Sequence, residues 1–338
     1  MSKRLVEHPD FIQLVRRTAA SRGLPIEWVE KDYWVVRVLR ALVDDDRLTG
    51  HFLFKGGTSL SKAYRLIDRF SEDVDILLTG PDYGPPPAMK GARETLLTMV
   101  RDVVEARTSL QWIRQESRPR EAWQYFYFRN DYQLKVRYPL PGRKTAPGSV
   151  STEWVLVEAG FRGGSNPHRV ALITSYVADY VAAHPPSDPT FTTDYAPDLE
   201  TVRVPTLAPE RTFIEKLLAL HTGAQGDFGL LRSRHYYDVC QLFDRCEGVT
   251  DLFADPELFK ELLTDAVDVS NRFWNAALDP RSLRLSQSPA LVLPADIRTN
   301  LGPKWRADSN LYPNEQPSLE NILARVAALR IALMTIGL

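Results

Sequence analysis

Residues 52–78 read FLFKGGTSLSKAYRLIDRFSEDVDILL. Both apolar ends of this stretch predict β-strands, and the pair Gly56-Gly57 predicts a tight turn that leads into a helix. The second strand carries Asp73 and Asp75, whose side chains point to one face because side chains alternate along a strand. Two carboxylates on one strand face, with a glycine turn close by in the chain, suit a magnesium ion that carries a nucleoside triphosphate.

Nucleotidyl transfer needs a divalent metal, hard oxygen ligands for that metal and donors for the phosphates. Asp73 and Asp75 can supply the oxygen ligands. Backbone N–H groups and hydroxyls of the glycine turn can bind phosphate, and the residues concerned are Gly56, Gly57, Thr58 and Ser59. A glycine pair alone usually marks only a turn, and Asp-x-Asp occurs on many surface strands. The turn and the carboxylates in this order favour phosphate chemistry, although GGTSLSK is neither a Walker A loop nor a GxGxxG fingerprint.

The composition is that of an ordinary globular protein of 338 residues with a formal net charge of −1. That charge excludes a global basic surface for nucleic acid but leaves a local basic patch open. The two cysteines, Cys240 and Cys246, have no partners at zinc-ligand spacing and predict reduced thiols. There is no apolar run near the roughly 20 residues that span a bilayer, and the N-terminal residues lack a signal-peptide pattern. We therefore expect a cytoplasmic protein without a membrane partner.

The order of predicted elements is helices, a small mixed sheet and then helices, which favours an α+β fold with flanking helices and a mainly helical C-terminal region. Helical periodicity covers Phe11 to Ala19, the segment after Pro25, Leu60 to Ile67 and Arg93 to Ala106. Alternating apolar and polar residues predict strands at Trp112–Glu116, Trp123–Arg129, Gln133–Tyr138 and Trp154–Phe161. Later helices are predicted at Pro209–Gly223, His235–Cys246, Pro256–Val267 and Ser318–Met334. Residues 268–317 show no pattern that we can assign.

Four motif blocks resemble one known family. FKGGTSLSKAY with RFSEDVDI resembles the DNA polymerase β-type nucleotidyltransferase superfamily. Together with EKDYWVVRVL, FIEKLLAL and RSRHYYDVCQL, it is similar to the AbiEii/AbiGii toxins, which include the MenT-like toxins. The resemblance covers about residues 26–245. It implies a polymerase β-like nucleotidyltransferase core with N-terminal helices in residues 1–174, and a helical region in residues 175–338 that completes the active-site cleft.

The resemblance also implies roles for single residues. Asp73 and Asp75 would bind the metal, and Lys216 would contact triphosphate oxygens, although a helix lysine usually faces solvent. Asp238 would be the acidic motif residue of a later helix. This chain has Arg234-His235 where the family often has Arg-Asp, which favours Asp238 over His235.

Two further residues keep two interpretations each. Superfamily members often use a third carboxylate, and Glu158 in WVLVEAGF is the candidate. A lone acid in an apolar strand needs a partner, which can be the metal or a salt bridge to Lys135 or Arg137. Ser71 matches a regulatory phosphorylation position of some family members, where a phosphate would repel both aspartates; it can also be an N-cap or turn hydroxyl.

The resemblance implies a magnesium-dependent toxin, with manganese as a possible substitute. It would transfer a nucleotide from an NTP to the 3′ end of tRNA and would have a cognate antitoxin. Arginines and aromatic residues in residues 112–144 could hold RNA, or the aromatics could be core with the arginines on an outer face. One alternative is transfer to a small molecule or a protein hydroxyl. A second is a non-catalytic binding protein that keeps a decayed nucleotidyltransferase fold.

Overall fold

The computed structural model describes residues 3–71, 73–79, 90–108, 110–112, 131–137, 154–161, 163–225, 231–274 and 277–338. The β-strands within these residues are β1 (Phe52–Lys55), β2 (Asp73–Leu78), β3 (Gln111–Trp112), β4 (Asp131–Arg137), β5 (Trp154–Gly160), β6 (His168–Ile173) and β7 (Val202–Leu207). The α-helices are α1 (Phe11–Arg22), α2 (Ile26–Val43), α3 (Gly56–Lys62), α4 (Lys90–Thr108), α5 (Tyr176–Ala183), α6 (Phe191–Asp194), α7 (Ala196–Leu199), α8 (Pro209–Gln225), α9 (Ser233–Arg245), α10 (Glu247–Ala254), α11 (Pro256–Trp274), α12 (Pro289–Val292), α13 (Ala295–Ala307) and α14 (Leu319–Thr335). The predicted strand Trp123–Arg129 lies outside the described residues, as does most of Trp112–Glu116.

The strands form one mixed sheet in the order β3-β4-β5-β2-β1-β7-β6. Strands β1 and β2 pair antiparallel across the glycine turn and helix, while β2 pairs parallel with β5 and β1 parallel with β7. Strand β4 pairs antiparallel with both β3 and β5. A mixed sheet with helices before and after it confirms the prediction of an α+β fold.

The central strands bury one face and leave the other partly open. Val74, Ile76 and Val157 are at most 2% exposed. Asp73 and Asp75 alternate with Val74 and Ile76 along β2 and are only half-buried. Helix α2 contacts both β2 and β5, and α4 contacts β5. The apolar face of these strands therefore packs on helices, and the opposite face carries the polar residues.

The chain divides into two compact units. The first, here called the sheet unit, comprises Met1–Thr58, Phe70–Phe161 and Val170–Thr206. The second, the helical unit, comprises Ser59–Arg69, Arg162–Arg169 and Leu207–Leu338. Each unit therefore draws on segments that are far apart in the sequence, and the division falls within α3. The predicted boundary between residues 174 and 175 stays a prediction.

Helices α8, α9 and α14 form the centre of the helical unit. Phe213 of α8, Tyr236 of α9 and Leu329 of α14 are all fully buried in one apolar cluster. Their burial explains why the 3.6-residue periodicity of these segments is clear in the sequence. Among the described residues, no helix combines the length and the apolar character that crossing a membrane requires.

Several helix ends agree with the sequence signals. Helix α1 ends at Gly23, which adopts a left-handed φ of 62°, a conformation that glycine tolerates best. Helix α8 starts with Pro209. The Ser318 side chain accepts a hydrogen bond from Asn321 N and so caps α14. These predictions are confirmed. They could be made from the sequence because capping depends only on residues close together in the chain.

Other elements differ from the predictions. Helix α3 ends at Lys62, short of the predicted Ile67, and Arg65 has a positive φ of 55° that turns the chain away. Strands β6 and β7 were not predicted, since four of the six residues of β6 are exposed and β7 contains Pro205. The unassigned segment 268–317 contains α12 and α13, and Pro303 lies within α13. Short or proline-containing segments form these elements through tertiary packing, which overrides local propensity.

Candidate active site

Three carboxylates share one face of the sheet unit. Asp73 and Asp75 lie two residues apart on β2, and Asp75 is in register with Glu158 on the neighbouring parallel strand β5. Residues in register on adjacent strands point to the same face, so all three carboxylates do as well. All three are half-buried. The prediction that Glu158 lies beside the Asp73–Asp75 pair on the sheet is therefore consistent with the strand register.

The glycine turn lies directly against one of these carboxylates. Gly56 has a φ of 77°, and a Cβ atom at this position would lie 1.8 Å from Oδ2 of Asp75 and 2.6 Å from its Cγ. Only a residue without a side chain fits there. The turn therefore brings backbone close to the Asp75 carboxylate, as a site for phosphate beside metal-binding carboxylates requires.

The hydroxyl residues of the turn are more deeply placed than the sequence indicates. Thr58 is 3% exposed and Ser59 is fully buried. The Thr58 hydroxyl donates a hydrogen bond to the carbonyl oxygen of Asp73, which ties the start of α3 to the start of β2. This bond is a structural use of the hydroxyl, and direct phosphate binding by Thr58 and Ser59 stays a prediction. Ser71 is half-buried just before β2, and its two predicted roles remain untested.

The donor set suits a magnesium ion in number and chemistry. Magnesium usually binds through one or two carboxylates, and substrate phosphates and waters complete its octahedron. Asp73 and Asp75 provide such a pair of hard oxygen donors on one face. Within the described residues, no group of three or more His, Cys, Asp or Glu side chains is arranged to hold a metal ion. Glu158 as a third metal ligand therefore stays a prediction, and the described side chains do not include Lys135 and Arg137, its alternative partners.

The helical unit contains a buried cluster of three charged side chains. Arg69 donates from Nε to Oδ1 of Asp238 and from Nη2 to Oδ2, both over 2.7 Å. Lys216 Nζ lies 2.9 Å from Oδ2 of the same carboxylate. The exposed fraction of the side chain is 3% for Arg69, 0% for Asp238 and 10% for Lys216. The two residues that the motifs singled out on α8 and α9 thus contact each other directly.

Burial and charge shift the pKa values of Asp238 and Lys216 in this cluster and of the neighbouring His235. Burial alone would raise the pKa of Asp238, but the charges and hydrogen bonds of Arg69 and Lys216 hold it below its ordinary value. Burial lowers the pKa of Lys216, an effect that the Asp238 charge opposes. Burial and the nearby Lys216 charge keep the pKa of His235 well below its ordinary value. Asp238 is therefore a carboxylate and His235 is a neutral ring at neutral pH.

Two residues of these arrangements escaped the sequence reasoning. Arg69 reaches Asp238 across 169 positions of sequence, so no local pattern reveals the pair. Locally, Arg69 lies in the mixed sequence Ile67-Asp68-Arg69-Phe70, which does not distinguish it from a surface arginine. Lys55 lies directly opposite Asp75 in the β1–β2 register, on the face of the carboxylates. Because side chains alternate along a strand, Lys55 shares a face with Leu53 and not with Phe54, and this pattern could have indicated its position.

A family model described as nucleotidyl transferase AbiEii toxin, type IV TA system, matches residues 37–325. The chain belongs to this family. The AbiEii family is one of nucleotidyltransferase toxins, so the family resemblance read from the motifs is confirmed, and so is the assignment to this class of transferase. None of the curated proteins matches the chain.

A solved structure shows the same fold. MenT4, a nucleotidyltransferase toxin from Mycobacterium tuberculosis H37Rv, matches with a TM-score of 0.55 and 19% sequence identity, over 96% of this chain and 89% of that one. This likeness confirms that the AbiEii-family protein has the fold of a nucleotidyltransferase toxin. JHP933 from Helicobacter pylori is similar at a TM-score of 0.38 and 14% identity, over 93% of this chain and 100% of that one, which is too remote to support an argument.

Proposed function

We propose that this AbiEii-family protein transfers a nucleotide from an NTP to the 3′ end of tRNA, as a magnesium-dependent toxin that a cognate antitoxin opposes. The observation that carries the proposal is the face of Asp73, Asp75 and Glu158 beside the Gly56 turn. This face combines hard oxygen donors with the backbone of a glycine turn, which is the chemistry that a metal-bound triphosphate needs.

Each residue of this face would have its own role in the transfer. Asp73 and Asp75 would hold the magnesium, or manganese in its place, and the bound ion would neutralise charge that develops on the phosphates. The backbone of Gly56 and Gly57 would position the triphosphate. Glu158 or Asp75 would accept the proton of the acceptor hydroxyl as that hydroxyl attacks the α-phosphate.

Lys216 would bind oxygens of the triphosphate and stabilise the leaving pyrophosphate. A lysine ammonium is a compact point charge well suited to phosphate. Asp238 is fully buried, and its two oxygens are held by Arg69 and Lys216. In this proposal Asp238 would hold Lys216 until the triphosphate binds, which is a positioning role in place of the predicted catalytic one.

Incubation of the purified protein with magnesium, each labelled NTP in turn and total tRNA tests the proposal. We expect label at the tRNA 3′ end with one or more NTPs, and no label with Asp73→Asn or Asp75→Asn. Asp46→Asn, an exposed aspartate before β1, is the matched control and should transfer normally. A parallel series with manganese tests the second metal.

The other outcomes select the alternatives. Label on a protein or small molecule, with tRNA unlabelled, would show a different acceptor for the same site. No transfer to any acceptor, together with no NTP binding, would show a non-catalytic protein and overturn the proposal.

A further inference from the structure

The buried cluster of Arg69, Asp238 and Lys216 carries unequal charge. Two cations share one carboxylate, and all three side chains are at least nine-tenths buried. A buried charge is costly unless it is paired. Within the cluster, two cations therefore face one carboxylate, and the charge of Asp308 also acts on Arg69.

The two cations hold Asp238 in different ways. Arg69 binds both carboxylate oxygens through a planar fork, at 2.7 Å each, which is the strongest geometry for such a pair. Lys216 reaches only Oδ2, at 2.9 Å, and is the most exposed member of the cluster. If the Lys216 ammonium moves away, Asp238 keeps both of its bonds to Arg69.

We propose that Arg69 is a positioning residue that neutralises Asp238, so that Lys216 can pass from this carboxylate to a phosphate oxygen of the substrate. This inference rests on the proposed function. Without Arg69, Lys216 would be the one counter-charge that this cluster offers to a fully buried carboxylate. Its transfer to phosphate would then leave Asp238 bare, which is strongly unfavourable. With Arg69 present, Lys216 exchanges one anionic partner for another.

Binding of magnesium-loaded inorganic triphosphate and of each NTP, measured by calorimetry on four proteins, tests this role. The proteins are the wild type, Arg69→Gln, Arg69→Gln with Asp238→Asn, and Lys216→Met. Arg69→Gln keeps a donor near Asp238 but removes the charge, so we expect Kd to rise about tenfold or more. Adding Asp238→Asn removes the carboxylate that retains Lys216, and should recover much of the lost affinity. Lys216→Met should bind as weakly as Arg69→Gln or more weakly.

A merely structural role for Arg69 gives a different pattern. Under that role the second substitution would add to the damage of the first, because two members of the cluster would then be missing. Arg69→Lys keeps the charge and should bind closer to the wild type than Arg69→Gln does. Thermal unfolding of each variant shows that the comparison is made between folded proteins, and Arg69→Met with Asp238→Asn repeats the test if Gln impairs folding.

The results separate this inference from the proposed function. If the wild type binds neither inorganic triphosphate nor any NTP, the proposed function fails and this inference fails with it. If the wild type binds, Lys216→Met weakens binding, and Arg69→Gln binds like the wild type, only the role of Arg69 is wrong. Absence of recovery in a folded double variant also overturns it.

Discussion

At Gly56 the backbone lies directly against the Asp75 carboxylate. Its φ of 77° and the Asp75 oxygen 1.8 Å from the position of a Cβ impose two separate constraints on the side chain. The first constraint is conformational and is met by any residue that tolerates a positive φ. The second is steric and is met by glycine alone.

Replacing Gly56 with alanine should therefore displace the Asp75 carboxylate. We expect loss of nucleotide transfer. We also expect a destabilisation larger than the cost of a left-handed alanine, which is about 1–2 kcal/mol. Gly50→Ala is the matched control, because Gly50 has a φ of 76° and nothing within 4 Å of a Cβ. Thermal unfolding and transfer assays on both variants separate the two constraints. Equal effects of the two substitutions would contradict the contact with Asp75.

The charge of Asp238 makes a second residue-scale prediction. Asp238→Asn leaves Arg69 and Lys216 buried without their carboxylate, which should lower the free energy of unfolding by about 3–5 kcal/mol at neutral pH. Because the folded-state pKa of Asp238 is depressed, its contribution is complete above its ordinary pKa of 3.8 and is lost as the pH falls below that value. The difference between wild type and variant should therefore shrink below this pH.

Denaturant unfolding across the pH range measures this difference. Asp244→Asn is the control on the same helix, since Asp244 pairs with Arg325 on the surface and should matter by less than about 1 kcal/mol. A difference for Asp238→Asn that does not depend on pH would contradict the depressed pKa.

Helix α8 shows how one element serves two purposes. Its Arg211 is fully buried and pairs with Glu215 on the same helix and with Asp265 on α11. Glu215 also accepts a hydrogen bond from the backbone N–H of Gly164. Glu215 of α8 thus binds the segment before β6, and the next residue of the helix, Lys216, contacts Asp238.

Gly164→Ala tests this contact. A Cβ at Gly164 would lie 1.8 Å from Nη2 of Arg211, and the ion pairs of that guanidinium prevent it from moving aside. We expect a destabilisation of about 1–3 kcal/mol, as for overpacking in a core. Gly302→Ala in α13 is the control, because its nearest neighbour would be 3.6 Å away. That substitution should stabilise by up to about 1 kcal/mol through helix propensity. Thermal unfolding compares them, and a neutral Gly164→Ala would show that Arg211 can relax.

At the scale of the whole molecule, one carboxylate of the sheet unit connects distant segments. Asp198 accepts hydrogen bonds from Leu5 N and from the Tyr33 hydroxyl and pairs with Arg37. The Asp198 side chain is fully buried. Asp198 lies on α7. Through these contacts it links α7 to the N-terminal residues and to α2, which packs on the sheet.

Removing this carboxylate should loosen the sheet unit broadly. Asp198→Ala leaves a buried Arg37 without its partner, and we expect a loss of about 3–5 kcal/mol. Amide hydrogen exchange should accelerate in α2 and in β2 and β5, which contact it. Asp194→Ala, nearby in sequence, removes only an exposed pair with Lys3 and should cost less than about 1 kcal/mol. Unchanged exchange in Asp198→Ala would refute the connecting role.

By itself, the sequence determined what depends on neighbours in the chain. The turn at Gly56, the shared face of Asp73 and Asp75, the helix around Lys216 and the N-cap at Ser318 follow from periodicity and local sterics. The family motifs, too, are short local patterns. These features could be predicted because each is stabilised by residues within one turn or one strand.

Only the tertiary structure decided which distant residues meet. The register of Asp75 with Glu158, the place of β7 between β1 and the edge strand β6, and the bidentate pair of Arg69 with Asp238 all join segments far apart in the chain. Burial also determines the chemistry of Asp238, whose carboxylate is enclosed by two cations, while its predicted catalytic role stays a prediction. Charge pairing and desolvation depend on the three-dimensional surroundings of a group, and no local pattern of residues encodes them.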